Sequence, residues 1–232
     1  MSDSPENCRP VRSFVRRAGR ITVAQREALD TLLPSYALVP TPGAPLDLAA
    51  AFERSAPTWL EIGFGNGEVL LELAARYPDV NFIGAEVHDP GVGRLLIGLQ
   101  NEALTNVRVF HEDAQALVRE HLPDGGLERI HVYFPDPWPK KRHHKRRLVN
   151  PQSVATLRRC LAPGGVLHLA TDWQPYAEHM LEVMTAAPGW RNVHPDSGYA
   201  PGPGIRPETH FERRGLRLGH GVADLEFARD DG

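Results

Sequence analysis

The chain has 232 residues, enough for one α/β domain with a sizeable core or at most two small domains. Apolar residues make up 41% and charged residues 24%, ordinary for a soluble globular protein, and no apolar run approaches the roughly 18 residues of a membrane span. The net charge of −3 conceals a division: Arg9–Arg20 and Lys140–Arg147 together hold 11 cations and no acid, while the rest of the chain holds 15 cations against all 29 acids. Local patches of this kind can grip phosphates without making the whole protein stick to every polyanion.

Met1 to Asn7 carry two acids and no apolar stretch follows, so a signal peptide is not expected. Cys8 and Cys160 lie far apart without CxxC spacing. A disulfide scaffold or zinc site is therefore not expected, and the reducing cytoplasm suits the chain. Residues 1–20 read as a mobile basic arm and 21–232 as a single domain. Thr22-Val23-Ala24-Gln25 has capping-box spacing, so a helix is predicted to start near Thr22 and to end at Pro34. A proline-rich connection covers 40–45.

From Thr58 onward, strand and helix patterns alternate. Strands are predicted at 59–62, 80–84, 107–110, 127–134 and 165–170, and helices at 69–77, 91–104, 114–121, 152–161 and 176–187. Val222–Ala228 alternates as a final strand. This order predicts a Rossmann-like, doubly wound α/β fold: a mostly parallel sheet with helices on both faces and an antiparallel C-terminal edge strand. Right-handed crossovers then align the strand C-termini along one edge, where ligands bind.

Glu61-Ile62-Gly63-Phe64-Gly65-Asn66-Gly67 ends the first of these strands. Such glycines allow a sharp turn and the close approach of a ligand. The spacing is GxGxG, and Glu68 occupies the sixth position, where a carboxylate would repel a pyrophosphate at a helix N-terminus. A nicotinamide dinucleotide is thereby disfavoured, and a cofactor without phosphates, S-adenosylmethionine, is favoured. Glu86 ends the second strand, placed to accept from ribose hydroxyls. Glu112-Asp113 follows the third, placed to accept from an adenine amine. Acids after strands commonly cap helices instead; three in register at one sheet edge make an adenosine site the better reading.

The fourth strand runs into Pro135-Asp136-Pro137-Trp138-Pro139-Lys140-Lys141-Arg142-His143-His144-Lys145-Arg146-Arg147. The flanking prolines fix the direction of the Asp136 carboxylate. Trp138 offers a face for base stacking, and the cations bring a phosphate grip beside the cofactor edge. Zinc binding by His143-His144 is a weaker option, since no other His/Cys set has ligand spacing.

With these residues in view, the chain resembles the bacterial tRNA (guanine-N7)-methyltransferases, over roughly residues 18–228. Leu60–Gly65, Glu86-Val87-His88, Asp113-Ala114, Pro135–Arg147, Thr171-Asp172-Trp173 and Arg206–Glu212 carry the resemblance. It implies that Glu61, Gly63, Gly65, Gly67, Glu86, Asp113 and Asp136 contact S-adenosylmethionine, with Asp136 also the catalytic residue. Lys140, Asp172, Thr209, His210, Phe211 and Glu212 would contact the substrate. Arg142, His143, His144, Lys145, Arg146 and Arg147 would touch tRNA, whose variable-loop guanine at position 46 is the family's target. His210 stands where the family usually has lysine. No metal, membrane or obligate protein partner is implied.

Guanine N7 has an in-plane lone pair and no proton, so methyl transfer to it needs no general base. Asp136, Asp172 or Glu212 would instead favour the positive charge that moves onto the purine. Two other readings remain open. One is methylation of another base, although exocyclic-amine methyltransferases carry an acid-or-Asn, Pro, Pro, aromatic order that Pro135–Trp138 does not match. The other is a catalytically silent tRNA-binding protein of the same fold.

Overall fold

A computed structural model describes residues 19–208, 212 and 221–231. Thr22 caps the first helix, α1 (Val23–Thr31), through the predicted capping box with Gln25. The helix stops before Pro34, which lies in the first turn of a separate short helix, α2 (Leu33–Tyr36). There the missing N–H costs nothing, so the proline starts a turn rather than ending one. A further short helix, α3 (Leu48–Phe52), is capped by Asp47 and has no counterpart among the predicted elements.

The predicted alternation follows: β1 (Thr58–Ile62), α4 (Glu68–Arg76), β2 (Asn81–Ala85), α5 (Asp89–Asn101) and β3 (Val107–Phe110). The next helix, α6 (Ala114–Ala116), widens at once into a π-helical turn over Leu117–His121. Then come β4 (Leu127–Tyr133), a 3₁₀ helix over Lys141–Arg146, α7 (Pro151–Cys160), β5 (Leu161–Thr171), α8 (Gln174–Ala186), β6 (Trp190–Asn192) and β7 (Ala223–Arg229).

The sheet order is β3-β2-β1-β4-β5-β7-β6. β1 to β5 pair in parallel, and β7 runs antiparallel to β5. The expected antiparallel strand is thus present, with the three-residue β6 paired outside it. Buried side chains form two cores, one on each sheet face. Leu60 and Ile62 of β1 belong to one, and Trp59 to the other, as the two-residue period of a strand requires. The order reverses between β1 and β4, so a crevice opens at their C-terminal ends.

Candidate active site

The loop after β1 reaches into this crevice. Gly63, Gly65 and Gly67 have φ of 74°, 56° and 76°, the left-handed region that side chains resist. A Cβ at Gly63 or Gly65 would meet nothing, so the backbone there borders open space. The loop is wedged from behind by α5: a Cβ at Gly91 would stand 2.0 Å from the Gly65 carbonyl oxygen. Glu86, one residue beyond β2, stitches the loop from the side. Its Oε2 accepts from Gly65 N–H at 2.9 Å, and its Oε1 from Val87 N–H at 2.7 Å and His88 N–H at 3.1 Å. Asp113 caps α6 by accepting from Gln115 N–H at 3.0 Å.

These elements wall a cleft of about 740 Å³. Of the seven residues expected to hold a cofactor, Gly63, Gly65, Glu86, Asp113 and Asp136 line it. Gly67 sits behind, at the start of α4. Glu61 lies within β1, only 4% exposed. Burial, and then the nearby Glu86 carboxylate, push the Glu61 carboxyl up to about 8. Its Oε2 has no hydrogen-bond partner among the described residues. Ile21 and Arg26 also line the cleft. Nothing in the sequence marks them, because their approach depends on α1 packing across α5.

The turn after β4 is strained at both ends. Phe134 (φ 51°) and Trp138 (φ 44°) adopt left-handed conformations that cost non-glycine residues of order 1–3 kcal/mol each. Neighbouring groups hold the turn: Phe134 N–H donates to Ala170 O at 2.8 Å, and Arg147 Nε donates to Pro137 O at 3.1 Å. Asp136, between the two prolines, is exposed at the cleft. Trp138 differs from the expectation of an open stacking face, because the Arg146 guanidinium lies 4.9 Å over its ring and His143 meets it edge-on.

The basic run is also divided. Lys140, Lys141, Arg142 and Lys145 are exposed, and His143, His144 and Arg146 half-buried. Arg147 stands apart from the rest of the expected RNA-facing set: it is 4% exposed, with its guanidinium 4.9 Å over the Tyr176 ring. We expect Arg147→Ala to lower the free energy of unfolding by about 1–3 kcal/mol, the range for losing a buried hydrogen bond to a charged group. Urea titration checks this. Unchanged stability with a flatter salt dependence of RNA binding would return Arg147 to the RNA-facing set. Among the described residues no group of His, Cys, Asp or Glu is arranged to hold a metal ion, and no helix is long and apolar enough to cross a membrane.

Asp172 follows β5 directly and is exposed, and Trp173 beside it is 43% exposed. Thr209, His210 and Phe211 lie outside the described residues. Glu212, expected to contact the substrate, is 7% exposed and ion-paired with the buried Arg206. Arg206 also pairs with Asp224 of β7 at 2.8 Å, and Asp224 accepts from His168 Nε2 at 2.8 Å. Burial alone would lower the Arg206 pKa; the two carboxylates outweigh it and raise it. Asp224 is held below its ordinary value by His168 and Arg206 against the opposite pull of burial. Arg206 belongs to one of the motifs named above, but no pattern in the sequence signals its burial.

The family described as "Putative methyltransferase" matches residues 55–225. A tRNA (guanine-N(7)-)-methyltransferase of Alkalilimnicola ehrlichii is 54% identical over 98% of this chain and 96% of its own. One from Pseudomonas aeruginosa is 54% identical over 99% and 93%. Among solved structures, the 16S rRNA methyltransferase KamB aligns with a TM-score of 0.56 at 17% identity, covering 80% of this chain and 94% of KamB; this likeness concerns the fold.

Proposed function

The chain belongs to the family of tRNA (guanine-N(7)-)-methyltransferases, and from that premise we propose that it methylates N7 of the guanine at position 46 in the variable loop of tRNA. The products are N7-methylguanosine and S-adenosylhomocysteine, and the site of action is the cytoplasm. The observation that carries the reading is one juxtaposition: an acid-lined cleft at the sheet's reversal point opens beside the strained Phe134–Trp138 turn, and the basic 3₁₀ helix follows that turn directly.

The cleft suits S-adenosylmethionine. Among the described residues, Glu86, Asp89, Glu112, Asp113 and Asp136 line it against one arginine, Arg26, and no lysine, which favours a cationic ligand. Gly63 and Gly65 leave room against their backbone. When bound, S-adenosylmethionine supplies a methyl group on a positively charged sulfur. Glu86 Oε2 keeps a lone pair for a ribose hydroxyl, and Asp113 keeps its second oxygen for the adenine end. Asp136 acts by position and charge, because N7 has no proton to remove. Its carboxylate faces the positive charge that develops on the purine. Asp172, at the end of the neighbouring strand, accepts from guanine N1–H and the exocyclic amine, a pattern adenine lacks. Glu212 is left out of this role here because both its oxygens accept from Arg206.

Lys140, Arg142 and Lys145 grip the tRNA backbone, aided by His143, His144 and Arg146, and the five arginines of residues 1–20 add a second patch to the 21–232 domain. Arg142→Ala combined with Lys145→Ala is expected to raise the KM for tRNA, spare kcat, and reduce the slope of log affinity against log salt by about 0.7–0.9 for each phosphate no longer neutralised. A fall in kcat with an unchanged slope would count against the grip. The reaction itself is tested with labelled S-adenosylmethionine and tRNA, followed by nucleoside digestion. Labelled N7-methylguanosine at position 46 is expected. A different methylated nucleoside moves the target, and binding without label leaves a silent tRNA-binding protein.

A further inference from the structure

The buried guanidinium of Arg206 joins parts of the site that are distant in sequence. Nε and Nη2 donate to Asp224 of β7 at 3.0 and 2.8 Å. Nη1 and Nη2 donate to Glu212, the latter at 3.0 Å. The guanidinium also lies 5.7 Å over the ring of Tyr133, the last residue of β4, and 5.3 Å over that of Phe134. The Tyr133 hydroxyl in turn meets His168 Nδ1 at 3.1 Å, and the other nitrogen of that ring meets Asp224. One cation therefore touches β4, the strained residue that starts the Asp136 turn, β7, and Glu212.

We propose that Arg206 is a positioning residue for methyl transfer, a clamp that fixes the Phe134–Asp136 turn and Glu212 relative to each other. This rests on the methyl-transfer reading given above. Arg206 touches neither the cleft nor the exposed basic face, so it acts through its neighbours. Asp224 alone would neutralise its charge; the second carboxylate adds geometry. A buried ion network of this kind gives little stability over an apolar replacement, and its best-attested gain is a unique arrangement. Two carboxylates held by one planar fork make that arrangement rigid, and a lysine, a point charge on a flexible stem, cannot reproduce it. The left-handed Phe134 needs such support, because strained backbone persists only where its surroundings over-determine it. Asp136 follows two residues later, so a shift at Phe134 moves the carboxylate.

The test compares the full-length parent with Arg206→Lys and Glu212→Gln in steady-state and single-turnover methylation of tRNA. S-adenosylmethionine affinity and thermal melting are measured in parallel, and all assays run well below each variant's transition. The expected result for Arg206→Lys is a loss of kcat on the order of 10²-fold, the cost of a misplacement of about 1 Å, with cofactor Kd and tRNA KM within a few fold. Glu212→Gln keeps an acceptor for the clamp, and a smaller loss, again in kcat, is expected of it. A folded Arg206→Lys with the parent's kcat overturns the clamp, as does a loss confined to cofactor affinity. Should the lysine variant not fold, Glu212→Gln decides: a rise in tRNA KM or methylation of other bases would make Glu212 a direct substrate ligand and overturn the proposal. An inactive parent would sink the reaction reading, and the clamp with it; an active parent with an indifferent Arg206→Lys sinks the clamp alone.

Discussion

Asp136→Asn is expected to lower kcat by about 10²- to 10³-fold, the loss seen when one group placed for transition-state charge is removed. The reasoning begins with the backbone. Pro135 and Pro137 restrict the residues around Asp136, and left-handed Phe134 and Trp138 bracket the three of them. Phe134 N–H is tied to Ala170 O and Pro137 O to Arg147. The carboxylate is thus carried on a turn that the protein strains and then pins, at the lip of the cleft. Asparagine keeps the shape and removes the charge. Because N7 needs no deprotonation, the pH–rate profiles of parent and variant should have the same form, displaced vertically. A profile whose acidic limb disappears in the variant would assign Asp136 a general-base role instead. Equal single-turnover rates for the two proteins would remove Asp136 from catalysis altogether.

The parts of this site that can be read in the sequence are those fixed by local pattern. β1, its glycine loop and Glu86 follow from an apolar run, three glycines needing positive φ and a strand-end acid, and all three are found at one edge. The mostly parallel sheet with an antiparallel last strand follows from alternation and handedness. What could not be read depends on packing between distant segments. Arg146 and Arg147 are adjacent identical cations, yet one lies on Trp138 and the other is buried against Tyr176 of α8. Glu212 reads as an outward acid until Arg206 and Asp224 come together around it. β6 has three residues, too few for a strand period, and exists because β7 offers it an edge. Pro34 carries the right signal with the wrong consequence: a proline closes one helix and is equally at home in the first turn of the next.

Glu61→Gln should remove a pH dependence of stability, and the sign follows from proton counting. Glu61 lies on the sheet face of Trp59, buried, with one carboxylate oxygen lacking a hydrogen-bond partner among the described residues. Burial and Glu86 push its carboxyl from the ordinary 4.5 up to about 8. Below 4.5, folded and unfolded chains both hold this proton and the group contributes no slope. Between 4.5 and about 8 the unfolded chain releases it and the folded chain keeps it. Stability therefore falls as pH rises through this window, by at most about 1.4 kcal/mol per pH unit from this group, and levels off above it. Glutamine keeps the shape and cannot ionise, so urea unfolding between about pH 5 and pH 8 should show the parent losing stability relative to the variant; parallel curves would sink the assignment. A cation bound in the cleft beside Glu86 would favour the ionised Glu61 carboxylate. Its charge would draw the Glu61 proton off, so binding would release a proton below about pH 8, and S-adenosylmethionine affinity should rise with pH, by at most about tenfold per unit. Calorimetry in buffers of different ionisation enthalpy counts that proton. The parent should release it and Glu61→Gln should not, which would make the costly carboxyl of β1 the charge that senses an occupied cleft.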